Sequence, residues 1–205
     1  MGHCVIFCAG GFDTLAGPLA QDDFVIAADG GLRHTQALGI KPDAVLGDFD
    51  SLGFVPEGAQ VFPVEKDDTD AMLAVRLGLK KGFDRFVIYG GLDGPRLDHT
   101  IANLQTLCFL AQNGAQGHLV GSSHIVTAVG AGQLHFPKTH RGIVSLFCLG
   151  EAACVTIRGL QYELERGKLD SHFPLGVSNH FVGQEATVTV HSGTVVALWE
   201  RANNF

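Results

Sequence analysis

The stretch FVIAADGG at residues 24–31, with AVLGDFDS at residues 44–51, decides how this chain folds. Each begins as a short apolar run, Phe24 to Ala28 and Ala44 to Leu46. Each run gives way at once to acid and glycine: Asp29-Gly30-Gly31 after the first, Gly47-Asp48-Phe49-Asp50-Ser51 after the second. Short apolar runs without polar alternation suit strands buried on both faces, the environment of a parallel sheet covered by helices. Outward from this pair the pattern recurs at Cys4 to Ala9, Val61 to Val64, Phe86 to Tyr89 and His118 to Val120. Between the runs, Thr69 to Lys80 sets Met72, Val75 and Leu79 on one stripe, widened by Leu73 and Leu77. Asp98 to Gln112 does the same with Ile101, Leu104, Cys108 and Ala111, then meets the stop signal Asn113-Gly114. Both read as helices.

From about Ile125 the pattern changes. Short strand-like segments follow one another between glycine turns: Ile125 to Val129, Leu134 to Phe136, Ile143 to Leu149, Cys154 to Ile157, Ala186 to Val190 and Val195 to Trp199. Thr187-Val188-Thr189-Val190 alternates with period two, as an antiparallel strand with one solvated face does. A boundary between Ser122 and Thr127 is therefore expected. It separates an open, mostly parallel α/β domain flanked by helices (residues 1–124) from a smaller all-β sandwich or barrel (residues 125–205).

Composition narrows the function classes. The 205 residues are 46% hydrophobic and 17% charged, so the chain can bury a sizeable core. A net charge of -7 with 14 Lys and Arg argues against a duplex nucleic-acid partner, whose phosphate backbone demands basic patches. No apolar run reaches the ~20 residues needed to span a bilayer, and Met1-Gly2-His3 has no basic lead into a signal-peptide core, so no membrane partner and a cytoplasmic location are expected. The five cysteines form no CxxC pair and sit inside apolar runs, as buried thiols in a reducing compartment would. The ten histidines show no metal-site spacing.

The acids carry the chemistry. Asp29 follows one strand and Asp48 and Asp50 follow the next, while Asp70 and Asp98 open the two helices. In an open parallel sheet the carboxyl ends of the strands share one edge, so segments far apart in sequence deliver these acids to a single crevice. Asp70 or Asp98 alone could be a helix cap. As a group, the acids would repel one another without a cation, and carboxylates joined by phosphate oxygens and water are the ligands magnesium prefers. Gly10-Gly11, Gly30-Gly31 and Gly90-Gly91 follow strands on the same edge, where glycine lets backbone approach a polyphosphate and turn N–H groups toward it. Lys66 and Arg96, beside Asp70 and Asp98, are candidate partners for phosphate oxygens or for those neighbouring acids.

These residues, in order, resemble the motifs of the thiamine pyrophosphokinase family: Ala28-Asp29-Gly30-Gly31, Gly47-Asp48-Phe49-Asp50-Ser51, Lys66-Asp67-Asp68-Thr69-Asp70 and Arg96-Leu97-Asp98-His99-Thr100-Ile101-Ala102-Asn103. Gly159-Leu160-Gln161-Tyr162 and Gly176-Val177-Ser178-Asn179 resemble its thiamine-side motifs. One departure is Asp93-Gly94-Pro95, where the family more often has a second glycine next to the arginine. The resemblance implies a homodimer with its active site between subunits, and transfer of the pyrophosphoryl group of ATP to the hydroxyl of thiamine, giving AMP and thiamine diphosphate. It further implies magnesium on Asp48, Asp50 and Asp70, with Asp29, Lys66, Arg96 and Asp98 around the ATP phosphates and Ser178 and Asn179 at thiamine. Should a general base act, Asp98 and Asp70 are the candidates; Tyr162 or Trp199 could wall the thiamine rings or be ordinary β-domain residues. Two other readings remain open from the residues: a metal-dependent phosphatase with Asp48 as nucleophile, and a non-catalytic nucleotide or thiamine sensor.

Overall fold

The structure, a computed structural model, describes residues 2–50, 52–63 and 67–201. Along the chain run β1 (Cys4–Phe7), β2 (Phe24–Ala28), α1 (Gly31–Ala37), β3 (Ala44–Gly47), β4 (Gln60–Val61), α2 (Asp70–Lys80), β5 (Arg85–Tyr89), α3 (Leu97–Gln112) and β6 (Gln116–Val120). Then come β7 (His124–Val129), β8 (Gly132–Phe136), β9 (Ile143–Phe147), β10 (Ala152–Arg158), β11 (Leu164–Asp170), β12 (Asn179–His180), β13 (Ala186–Ser192) and β14 (Val195–Glu200). The chain divides into two compact units, Met1–Thr106 with Gly117–Ser122, and Leu107–Gln116 with Ser123–Phe205.

In the first unit the strands lie in the order β6-β5-β1-β2-β3-β4. The pairs β1–β2, β1–β5, β2–β3 and β3–β4 are all parallel. The two faces are covered differently. Cys4, Ile6, Phe86 and Ile88 alternate with Val5, Phe7, Val87 and Tyr89, and the helix α2 buries Ala71, Ala74, Val75 and Gly78. Gly78 is needed there, because a Cβ would strike the Phe86 ring at 2.5 Å and the Cys4 sulfur at 2.7 Å. The other face, with Val5, Phe7, Val25, Tyr89 and Val120, is capped by an irregular strap carrying Phe12, Leu15, Ala16 and Leu19. The Tyr89 hydroxyl fixes that strap by accepting the Ala16 N–H at 2.9 Å.

The second unit is antiparallel. Its strands form β12-β9-β14-β7 and β11-β10-β13-β8. Leu134, Phe136, Val144, Leu146, Val155, Ile157, Val188, Val190 and Trp199 pack into one core between these two sets, which is a sandwich. Phe136 sits at its centre, edge-on to Phe181 (5.1 Å) and Trp199 (5.3 Å). Trp199 is thus a core residue.

Three elements escape the expectations. The helix α1 is short and opens on glycine, β11 (LERGKLD) shows no apolar alternation, and β12 is a two-residue strand. The strand expected over Val61 to Val64 is observed as Gln60–Val61, and Val64 lies outside the described residues.

Candidate active site

The parallel register builds the acidic rim. Ala28 of β2 pairs with Leu46 of β3, so Asp29 leaves its strand beside Gly47 and Asp48 follows one residue later. The Asp29 N–H donates to the Leu46 carbonyl at 2.8 Å, fastening the two ends. Both Asp29 (φ 46°) and Phe49 (φ 60°) take the left-handed backbone conformation, which costs a non-glycine residue about 1 kcal/mol and survives where the surroundings impose it. Phe49 is 2% exposed, and its burial pins the turn, leaving Asp48 and Asp50 on either side of it at the rim. The Asp50 N–H reaches back to Asp48 Oδ1 at 3.3 Å. Gly47 makes room, since a Cβ there would press on the Asp29 Cα and Cβ at 3.0 Å.

Asp29, Asp48 and Asp50 consequently present carboxylate oxygens all within 4.8 Å of one another. Asp29 is buried, Asp48 half-buried and Asp50 exposed, so the cluster opens from the fold toward solvent. At such a separation each pair of like charges costs about 1 kcal/mol in water and about 3–4 kcal/mol at the effective dielectric of a protein surface. Three hard oxygen donors without sulfur or imidazole form a set that suits magnesium.

The remaining acids lie along the same edge. Asp98, in the first turn of α3, is bound by Arg96 through Nη2 to Oδ2 at 2.6 Å and Nε to Oδ1 at 3.3 Å. That pairing lowers the Asp98 carboxyl below its ordinary value and raises the Arg96 guanidinium, with the charge of Asp50 adding to the latter. Arg96 is therefore paired with Asp98 and lies within electrostatic reach of Asp50. A carboxylate so paired is a poor proton acceptor. Asp70 opens α2 behind the true N-cap, Thr69, whose hydroxyl accepts the Met72 N–H at 3.2 Å. Asp70 lies within electrostatic reach of Cys8, where burial first, and then the Asp70 charge, push the thiol up to about 12. The triad of close oxygens thus contains Asp29, a residue assigned from the sequence to the phosphate surroundings, and does not contain Asp70. Lys66 lies outside the described residues.

The glycines act through close passage. The Gly10 N–H donates to Gly90 O at 2.9 Å and the Gly11 N–H to Asp93 O at 2.5 Å, so both amides are engaged inside the fold. A Cβ on Gly10 would lie 2.5 Å from the Gly90 carbonyl oxygen. Gly30 is the N-cap of α1, where its carbonyl accepts the Arg33 N–H at 3.1 Å.

In the second unit Ser178 is exposed, has φ 60°, and donates its N–H to Ser145 Oγ at 3.0 Å. Asn179 is 5% exposed. Its Oδ1 accepts the N–H groups of Tyr162 and His180, both at 2.9 Å, and its Nδ2 donates to Tyr162 O at 2.7 Å. The Asn179 amide is a clamp on the Tyr162 backbone, a role no sequence pattern announces because the partners are distant in the chain. Tyr162 is 61% exposed and free of the core. An open groove of about 270 Å³ in this unit is lined by Phe147, Cys148, Phe173 and Pro174 among others, and by none of the rim acids.

Residues 17–117 match the family model described as thiamin pyrophosphokinase, catalytic domain, and residues 132–195 match thiamin pyrophosphokinase, vitamin B1 binding domain. The chain belongs to the thiamin pyrophosphokinase family. A thiamine pyrophosphokinase of Bacillus subtilis (strain 168) is 24% identical over 194 residues, covering 90% of each chain. Among solved structures, a thiamine pyrophosphokinase from Bacillus subtilis superposes with a TM-score of 0.85 at 23% identity, covering 98% of this chain and 99% of that one. A thiamin pyrophosphokinase family protein from Enterococcus faecalis gives 0.82 at 22% identity, covering 98% and 100%. A thiamin pyrophosphokinase from Candida albicans gives 0.74 at 15% identity, covering 98% and 90%. These likenesses establish the fold: an α/β portion followed by a β portion.

Proposed function

We propose that this protein is a thiamine pyrophosphokinase, an ATP-dependent enzyme that forms thiamine diphosphate and AMP. The observation that carries the reading is the meeting of Asp29, Asp48 and Asp50 at one sheet edge, in a chain that both family models match. In the reaction the hydroxyethyl oxygen of thiamine bonds to the β-phosphorus of ATP, the bridge between the α- and β-phosphates breaks toward AMP, and the hydroxyl proton is released. Such transfer needs alignment and charge neutralisation more than a strong base.

Asp48 and Asp50, with Asp29 as the buried third donor, would hold magnesium; Asp70 stays a candidate ligand at the start of α2. When bound, the ion would supply positive charge that offsets the charge of the phosphate oxygens during transfer. Arg96 is proposed to meet a phosphate on exchanging part of its pairing with Asp98, and Lys66 is proposed as a further cation for the ATP phosphates. Gly10, Gly11 and Gly30 let the backbone pass close to the nucleotide. Ser178 is proposed to contact thiamine, with Asn179 holding Tyr162 in place near it. The domain reading of residues 1–124 for ATP and metal and 125–205 for thiamine and dimerisation follows the same lines, in a cytoplasmic homodimer with the active site between subunits. Among the described residues no helix is long and apolar enough to cross a membrane. Exposed Phe173, Leu175 and Val177 in the second unit offer apolar surface of the kind a partner subunit covers.

The test is incubation with ATP, magnesium and thiamine, followed by chromatography. AMP and thiamine diphosphate should appear in equal amounts, and neither should form when thiamine is left out. Release of inorganic phosphate without AMP would overturn the reading in favour of a phosphatase.

A further inference from the structure

We propose that Asp93, in the loop after β5, is a positioning residue for nucleotide binding, tying together the loops that follow β1, β5 and β6 so that Arg96 is held toward the rim. The inference rests on the functional reading above. The Asp93 carbonyl accepts the Gly11 N–H at 2.5 Å, and the two residues form an isolated antiparallel bridge. The Asp93 carboxylate reaches the other way, accepting the Ser122 N–H through Oδ2 at 2.5 Å. One residue therefore joins the first glycine loop to the turn after β6. Gly121 is required beside it, since a Cβ there would lie 2.6 Å from Asp93 Oδ2.

Helix α3 holds the same loop from behind. Thr100 Oγ1 donates to Leu92 O at 3.2 Å and Asn103 Nδ2 to Gly91 O at 2.8 Å. Between these anchors and Arg96 stand Gly94 and Pro95, and proline fixes its own φ. Here the chain departs from the glycine-next-to-arginine pattern of the family it resembles. The stiffness that brings Arg96 within electrostatic range of Asp50 comes instead from Asp93 and Pro95. Losing the carboxylate would leave the Ser122 N–H without its acceptor and loosen the whole segment.

The experiment compares wild type, Asp93→Ala and Asp93→Asn. Three quantities are read: binding of a non-hydrolysable ATP analogue with magnesium by calorimetry, the separate KM values for ATP and thiamine, and the melting temperature. Asp93→Ala should weaken the analogue and raise the ATP KM by about tenfold, the scale of one charge-assisted hydrogen bond. The thiamine KM should stay put. Asp93→Asn keeps an acceptor oxygen and should recover most of the affinity. Should Asp93→Ala fold poorly, the milder Asp93→Asn and hydrogen exchange on wild type decide: the Ser122 amide must be protected, and exchange at the open-chain rate overturns the proposal. A fall in melting temperature with both KM values unchanged, or an equal rise in both, also overturns it. Wild-type protein that binds no nucleotide would instead remove the functional reading itself.

Discussion

At the scale of single residues, what each polar side chain touches separates those that do chemistry from those that hold the frame. Asn179 was expected from the resemblance to bind thiamine, yet its amide is spent on three backbone partners while buried. Asn179→Ala should therefore destabilise the protein by about 2–3 kcal/mol, the cost of stranding buried backbone groups, and urea unfolding measures it. A loss of thiamine affinity at unchanged stability would contradict this assignment. His118 gives a pH signature. Burial first, and the neighbouring His3 charge second, lower its pKa from 6.5, so the folded state holds it neutral where the unfolded chain takes up a proton. Stability then falls as the pH drops below about 6.5 and goes on falling until the folded-state value is reached. The urea midpoint of wild type should drop more between pH 7.5 and 5.5 than that of His118→Gln; parallel curves would refute it.

At the scale of elements, the legible features were those written in local pattern. The strands of the parallel sheet are apolar runs, and α2 and α3 carry stripes long enough to count. That Asp48 and Asp50 lie together at a strand end was legible because both directly follow the apolar run of β3. The rest depended on distant partners. Helix α1 has seven residues and no stripe, and β11 is read as a strand through its pairing with β10. Asp29 joins the acids by parallel register, which sets it beside Gly47, one residue before Asp48; sequence order alone could not rank it above Asp70. Helix α2 also separates two roles that sequence left merged, since Thr69 caps it and Asp70 does not. Thr69→Ala should cost about 1 kcal/mol in thermal unfolding, and an unchanged transition would show that the cap does not hold the helix start.

At the scale of the molecule, the catalytic-domain match over residues 17–117 lies mostly in the first unit, and the vitamin B1 binding-domain match over residues 132–195 lies in the second. An acidic chain of net charge -7 suits capture of a cationic vitamin. The proposed homodimer predicts a solution mass twice that of the 21.8 kDa chain by light scattering; a monomer at working concentration would contradict it. The decisive property of the molecule is whether its three clustered carboxylates bind a divalent ion. Titration of Mn2+ as a magnesium surrogate, followed by water-proton relaxation with an ATP analogue present, tests this directly on wild type and on folded Asp29→Asn, Asp48→Asn and Asp50→Asn. The expected result is saturable binding in wild type, weakened at least about tenfold in each variant by the loss of one charged ligand. Equal Mn2+ affinity in all four proteins would contradict it.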